Sequence, residues 1–145
     1  MEFGWINLFG AIIVALMLVP NIVYALRRRD QQNRCESRVM NVLEQVGRYG
    51  SIALMWLPLF VWKFGFRSVG EMLLYFVGNG VLLAVYWAVY ALYLKRETRG
   101  RALILAIAPA CIFLMSGVLL RHWLLVGFGA LFAVGHLCVT VKNLD

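Results

Sequence analysis

The sequence predicts an all-α membrane protein, a compact bundle of five transmembrane helices joined by short loops. Two observations carry this. Of 145 residues, 63% are hydrophobic and only 14% are charged, against roughly 25% charged in a typical soluble domain. The few charges also gather in short clusters between apolar stretches, and those stretches approach the about 20 residues that a helix needs to cross hydrocarbon. Such a chain cannot supply the charged coat of a soluble globule. A soluble enzyme, a disordered chain and a disulfide scaffold are thereby excluded. Five spans use nearly every residue, so a single transmembrane domain over 1–145 is expected, with spans at 3–26, 39–62, 72–94, 102–120 and 124–141.

The first span is uncharged from Phe3 to Leu26. Met1-Glu2-Phe3 lacks the basic start of a secretory signal, so this stretch is expected to be retained. Pro20 cannot donate to the Leu16 carbonyl, which predicts a kink and a free acceptor. Asn21 and Tyr24 follow near its cytoplasmic end.

The second span is the least apolar. Only Tyr49 to Trp62 is free of charge, which as a helix covers about 21 Å and is too short to cross. The helix must begin earlier, drawing Asn41, Glu44, Gln45 and Arg48 to the membrane boundary; the alternative is an interfacial or re-entrant segment in a four-span protein. Glu44 and Arg48 are spaced i,i+4, a favourable helix pair, and pairing matters where lone charges are costly. The plainer reading of this segment is a solvated interfacial turn with an internal salt bridge; the sharper one joins Asn21, Tyr24, Glu44, Gln45 and Arg48 in a polar cluster at the cytoplasmic mouth of the bundle. Pro58 frees the carbonyl of Leu54 further along.

Along the third span, Tyr75, Asn79, Tyr86, Tyr90 and Tyr93 fall within about a 60° sector of one helix. This stripe is expected to face the bundle interior; an ordinary aromatic belt is the alternative for Tyr90 and Tyr93, and the lining of a functional cavity is the less favoured role. Gly80, Ala84, Ala88 and Ala91 lie on the other side, where small residues let a neighbouring helix approach. In the fourth span Ala102, Ala106 and Ala110 form a second small-residue seam, and Pro109 frees the Leu105 carbonyl. The fifth span places Gly129, Ala133, His136 and Thr140 on one face. A histidine at membrane depth serves as a hydrogen-bond partner, a proton relay or a ligand. His122 lies about 21 Å away along the axis, so the two histidines cannot share a metal or a haem, and neither cofactor nor metal is expected. Gly78, Gly80, Gly127, Gly129 and Gly135 read as helix contacts. Glu71, Lys63, Arg67, Arg121 and His122 are expected on the outer surface as solvated anchors.

Orientation follows from charge. Arg27, Arg28, Arg29, Arg34, Arg38, Arg48, Lys95, Arg96, Arg99, Arg101 and Lys142 fall on one side, and Lys63, Arg67 and Arg121 on the other. Basic loops stay in the cytoplasm, so the N-terminus is expected outside and the C-terminus inside. The same rule explains the net charge of +7 without a nucleic-acid partner. Cys35, Cys111 and Cys138 show no ligand or disulfide spacing. No GxSxG, HExxH, phosphate-cradling loop or paired carboxylate site is present, so a membrane enzyme is the least favoured class.

Pro20-Asn21-x-x-Tyr24, Leu43-Glu44-Gln45-x-Gly47-Arg48-Tyr49-Gly50 and Phe113-Leu-Met-Ser116-Gly117 together resemble a family of small bacterial integral membrane proteins of unassigned activity. The resemblance implies a bacterial cytoplasmic membrane location and nothing catalytic. The functional expectation from the residues is a small transporter or channel-like protein for a solute or ion, working in the bilayer as a homo-oligomer. The alternative is an accessory or binding subunit of a larger membrane complex. The candidate substrate-binding residues are Asn21, Tyr24, Glu44, Gln45, Arg48, Asn79, Tyr86, Tyr90 and His136.

Overall fold

The computed structural model describes residues 7–27, 37–57 and 68–144. Pro58, Lys63, Arg67, Cys35 and the loop arginines Arg28, Arg29 and Arg34 lie outside the described residues, with the expectations attached to them. Five helices follow in order: α1 Leu8–Arg27, α2 Arg38–Leu54, α3 Val69–Lys95, α4 Arg99–Leu119 and α5 Trp123–Leu144.

Local chemistry sets the helix starts. The first backbone N–H groups of a helix lack intrahelical partners, and a short polar side chain just before it can accept from one of them. Asn7 accepts from Gly10 N, Ser37 from Met40 N, Ser68 from Glu71 N and Thr98 from Arg101 N. Ser68-x-x-Glu71 also has the sequence form of a capping box. The turn from α4 to α5 closes differently. His122 N donates to Gly117 O and Arg121 N to Val118 O, with Arg121 in the left-handed region at φ 56°. This is the Schellman pattern, here with arginine where glycine is usual.

α5 packs on α2 and α4, α4 packs on α3, and α3 packs on α1. Glycine makes the α2–α5 contact close. A Cβ on Gly47 would collide with the Phe132 backbone, and one on Gly135 with the backbone of Glu44. Moving forward along α2 from Glu44 to Gly47 moves backward along α5 from Gly135 to Phe132, so the two helices run antiparallel. α1 meets the far end of α2, where Asn7 N donates to Trp56 O at 2.9 Å and Gly10 presses on the Met55 carbonyl. The Ala102, Ala106 and Ala110 seam is buried in the core with Ile112 and Phe113.

α1, α3, α4 and α5 are each long and apolar enough to cross a membrane, so this is a helical bundle of the multi-pass membrane type. α2 does not meet that standard. Its 17 residues cover about 25 Å and include Arg38, Glu44 and Arg48. It nonetheless lies along the membrane-length α5. One expected contact is not made among the described residues: Gly80, Ala84, Ala88 and Ala91 face outward, and nothing lies within 4 Å of a Cβ added at Gly80 or Gly127. Gly135 does make its expected helix contact, and Gly78 and Gly129 lie against α4 side chains. The tight backbone approaches are at Gly10, Gly47 and Gly135.

Candidate functional site

On α3 the buried residues are Tyr75, Asn79, Tyr86 and Tyr90. The rest of that helix is largely exposed, as lipid-facing helices are, so its polar side is the side turned inward. The four residues divide between two places.

Tyr86 and Tyr90 belong to a vestibule of about 890 Å³ at the end of the bundle that holds the α3–α4 connection. Asn21 and Tyr24 line it from α1, Glu44 from α2, and His136 and Thr140 from α5. Glu97 and Arg99 lie at its mouth. Leu105 and Ala106 of α4 supply apolar wall. Asn21 is the hinge of the α1 side. Its amide nitrogen donates to Met17 O at 2.9 Å and to the Tyr86 hydroxyl at 2.8 Å, and its oxygen accepts from the Tyr90 hydroxyl at 3.2 Å. Tyr24 packs its ring against those of Tyr90 and Tyr93.

The acidic wall is held from α2. Arg48 donates to Glu44 Oε1, the expected i,i+4 pair. Glu44 is buried, and among the described residues its second oxygen has no hydrogen-bond partner. That oxygen faces His136 Nδ1 at 3.6 Å, which likewise has none among them. Phe132 stacks on the His136 ring with centroids 4.7 Å apart, and the Arg48 guanidinium sits 5.8 Å from the Phe132 centroid. Arg48, Glu44, His136 and Phe132 thus form a closed ring of contacts across the α2–α5 seam.

Asn79 lies elsewhere. It is fully buried, donates to Tyr75 O at 3.0 Å and to Ser116 Oγ at 3.2 Å, and accepts from Ser116. Tyr75 in turn accepts from the Asn7 amide at 3.3 Å. This second polar group sits toward the opposite end of the bundle. Met17, Ile13 and Val14 of α1 and Pro109, Ile112 and Phe113 of α4 are buried at the positions between. On α3 the step from Asn79 to Tyr86 is about 10 Å, so an apolar septum separates the two polar groups.

The vestibule brings together Asn21, Tyr24, Glu44, Tyr86, Tyr90 and His136. Arg48 supports it from behind through Glu44. Asn79 belongs to the second group, and Gln45 turns to the outer face of α2 beside Arg38, Asn41 and Val42, one helical step away from Glu44. His122 corrects an expectation: it is fully buried, because the tight α4–α5 turn folds its ring inward. Arg121 and Glu71 are not independent anchors either, since they pair at 2.6 Å and are mostly buried. Asn7 was missed by the span reading, although an asparagine just before an apolar run is the signal of an N-cap.

Among the described residues no group of three or more His, Cys, Asp or Glu could hold a metal ion. Cys111 and Cys138 are free and exposed on the helix surface. Comparison with protein-family models, with curated proteins and with solved structures finds no match to the chain, so the family resemblance drawn from the sequence gains no support there and the function must be argued from the site.

Proposed function

We propose that this protein is a small solute or ion transporter of a bacterial cytoplasmic membrane, and that the vestibule is its substrate chamber. The carrying observation is a polar cavity lined by all five helices, open at one end and backed by an apolar septum. That is the form of a chamber reached from one side of a membrane at a time. Nothing about the lipid-facing surface requires Asn21, Glu44, Tyr86 or His136, and polar groups at membrane depth mark pathways. In this reading α2 is the fifth span. Its Glu44–Arg48 pair is sheltered by α5, which lets a helix too polar to insert alone lie at membrane depth. The vestibule end carries Arg27, Arg38, Lys95, Arg96, Arg99, Arg101 and Lys142, so the positive-inside rule puts it in the cytoplasm and the Asn7 end outside.

A second reading rests on a different observation. The outward-facing Gly80, Ala84, Ala88 and Ala91 offer a close-packing face to another transmembrane helix, either of a second copy or of a larger complex. The two readings are compatible if the working unit is an oligomer.

The test is flux. Purified protein in proteoliposomes is assayed for K⁺ and Na⁺ movement with ion-selective dyes, and for glycerol and amino-acid entry. Faster entry of any probe than in protein-free vesicles, slowed by Asn21→Leu or Glu44→Gln, supports the transport reading. Permeability equal to that of empty vesicles, or entry unchanged by both substitutions, overturns it. Cross-linking of Ala84→Cys to an identical copy in native membranes supports the oligomer, and capture on a different protein supports the accessory role.

A further inference from the structure

Glu44 Oε2 and His136 Nδ1 are buried and face each other at 3.6 Å, just beyond hydrogen-bond distance, and neither has a hydrogen-bond partner among the described residues. Two acceptors facing each other in a low-dielectric setting repel, and each is left unsatisfied. One hydrogen resolves both. If Nδ1 carries it, closing the gap by a few tenths of an ångström lets the ring donate to the carboxylate, and neither atom is orphaned. Arg48 on Oε1 keeps the carboxylate charged and fixed. Phe132 stacked on the ring fixes its plane. The His136 side chain is still about one-fifth exposed and lines the vestibule. With Nδ1 sealed against Glu44, the edge that meets the vestibule is the one carrying Nε2.

We infer that His136 is the proton-binding site of the vestibule, with Glu44 as its positioning residue. In the neutral ring Nδ1–H donates to Glu44 and Nε2 presents a lone pair to the chamber. A proton from vestibule water adds to that lone pair and gives the imidazolium; loss of the same proton restores the neutral ring. The ionisable neighbours on the packed elements are Glu44 and Arg48 of α2, Tyr24 of α1, Tyr86, Tyr90 and Tyr93 of α3, Glu97 in the connection and Arg99 of α4. Glu44 and Arg48 balance each other, as do Glu97 and Arg99 in formal charge. Protonation of His136 therefore adds one positive charge to the chamber. Coupling of that charge to solute movement rests on the transport reading; the proton site itself does not.

The test is nitrogen NMR of ¹⁵N-histidine-labelled protein in lipid nanodiscs, with His136→Gln assigning the signal. The expected neutral form has a protonated Nδ1 and a bare Nε2, and acidification converts it to the imidazolium. Folded Glu44→Gln protein, whose amide can turn its NH₂ toward Nδ1, is expected to lose the strict preference for the Nδ1–H form. A neutral ring protonated on Nε2, or no conversion to the imidazolium on acidification, overturns the proposal. So does an Nδ1–H preference that is unchanged in folded Glu44→Gln protein. Conversion as expected in a protein that moves no solute keeps the proton site and removes the transport reading. Solute flux with no conversion does the reverse.

Discussion

The indole nitrogen of Trp87 lies 2.8 Å from the carbonyl oxygen of Leu16, the acceptor that Pro20 cannot serve. The proline breaks one bond inside α1, and α3 supplies its replacement from outside. Trp87→Phe keeps the ring and removes the donor. It is expected to destabilise the protein by about 1 kcal/mol, the usual worth of such a bond. In a Pro20→Ala background, alanine restores the N–H to Leu16, so the same substitution is expected to cost less. Thermal unfolding in detergent for the four proteins of this cycle is the measurement, and equal losses in both backgrounds would refute the compensation.

Gly47 and Gly135 sit where the backbones of α2 and α5 meet. Gly47→Ala and Gly135→Ala are each expected to lower the unfolding temperature clearly, because the added Cβ meets backbone that cannot step aside. Gly127→Ala serves as the control. Its Cβ enters open space, and the gain in helix propensity, up to about 1 kcal/mol, predicts an unchanged or slightly raised temperature.

Asn79 and Ser116 form a buried pair remote from the vestibule. Asn79→Leu leaves the Ser116 hydroxyl without that partner and is expected to cost about 1–3 kcal/mol. The double variant Asn79→Leu with Ser116→Ala is expected to recover part of the loss. In the transport assay, folded Asn79→Leu protein should retain the solute preference of the native chain. A changed preference would extend the pathway past the septum.

Arg48→Met strands the Glu44 carboxylate beside His136 in a buried site. Glu44→Gln removes the charge that would be stranded. Arg48→Met is therefore expected to be the more destabilising of the two, and Arg48→Met with Glu44→Gln to be milder than Arg48→Met alone. Unfolding temperatures of the three variants at neutral pH decide the order.

Much of the architecture is legible in the sequence because lipid enforces simple rules. Uncharged runs near 20 residues mark α1, α3, α4 and α5, and helical spacing alone puts Tyr75, Asn79, Tyr86 and Tyr90 on one side of α3. The Leu16 acceptor follows from Pro20, but its donor does not, since no local pattern says which helix brings an indole there. The vestibule is legible in part for the same reason. Periodicity gives a residue's direction around its own axis, but not how far along a neighbour it will dock. Asn79 and Tyr86 share a stripe and yet face different partners on α4 and α1. His122 and Arg121 read as surface because they interrupt an apolar run; the direction of a tight turn decides their burial, and that is a property of backbone geometry rather than residue type.

The glycine contact between α2 and α5 bears on how the protein is made. α2 leaves the ribosome before α3, α4 and α5, and its charged start gives it little reason to enter lipid unaided. The surface that shelters Glu44 is created only when α5 arrives. The contact between α2 and α5 is therefore a late assembly step, closed only once the last helix is in place.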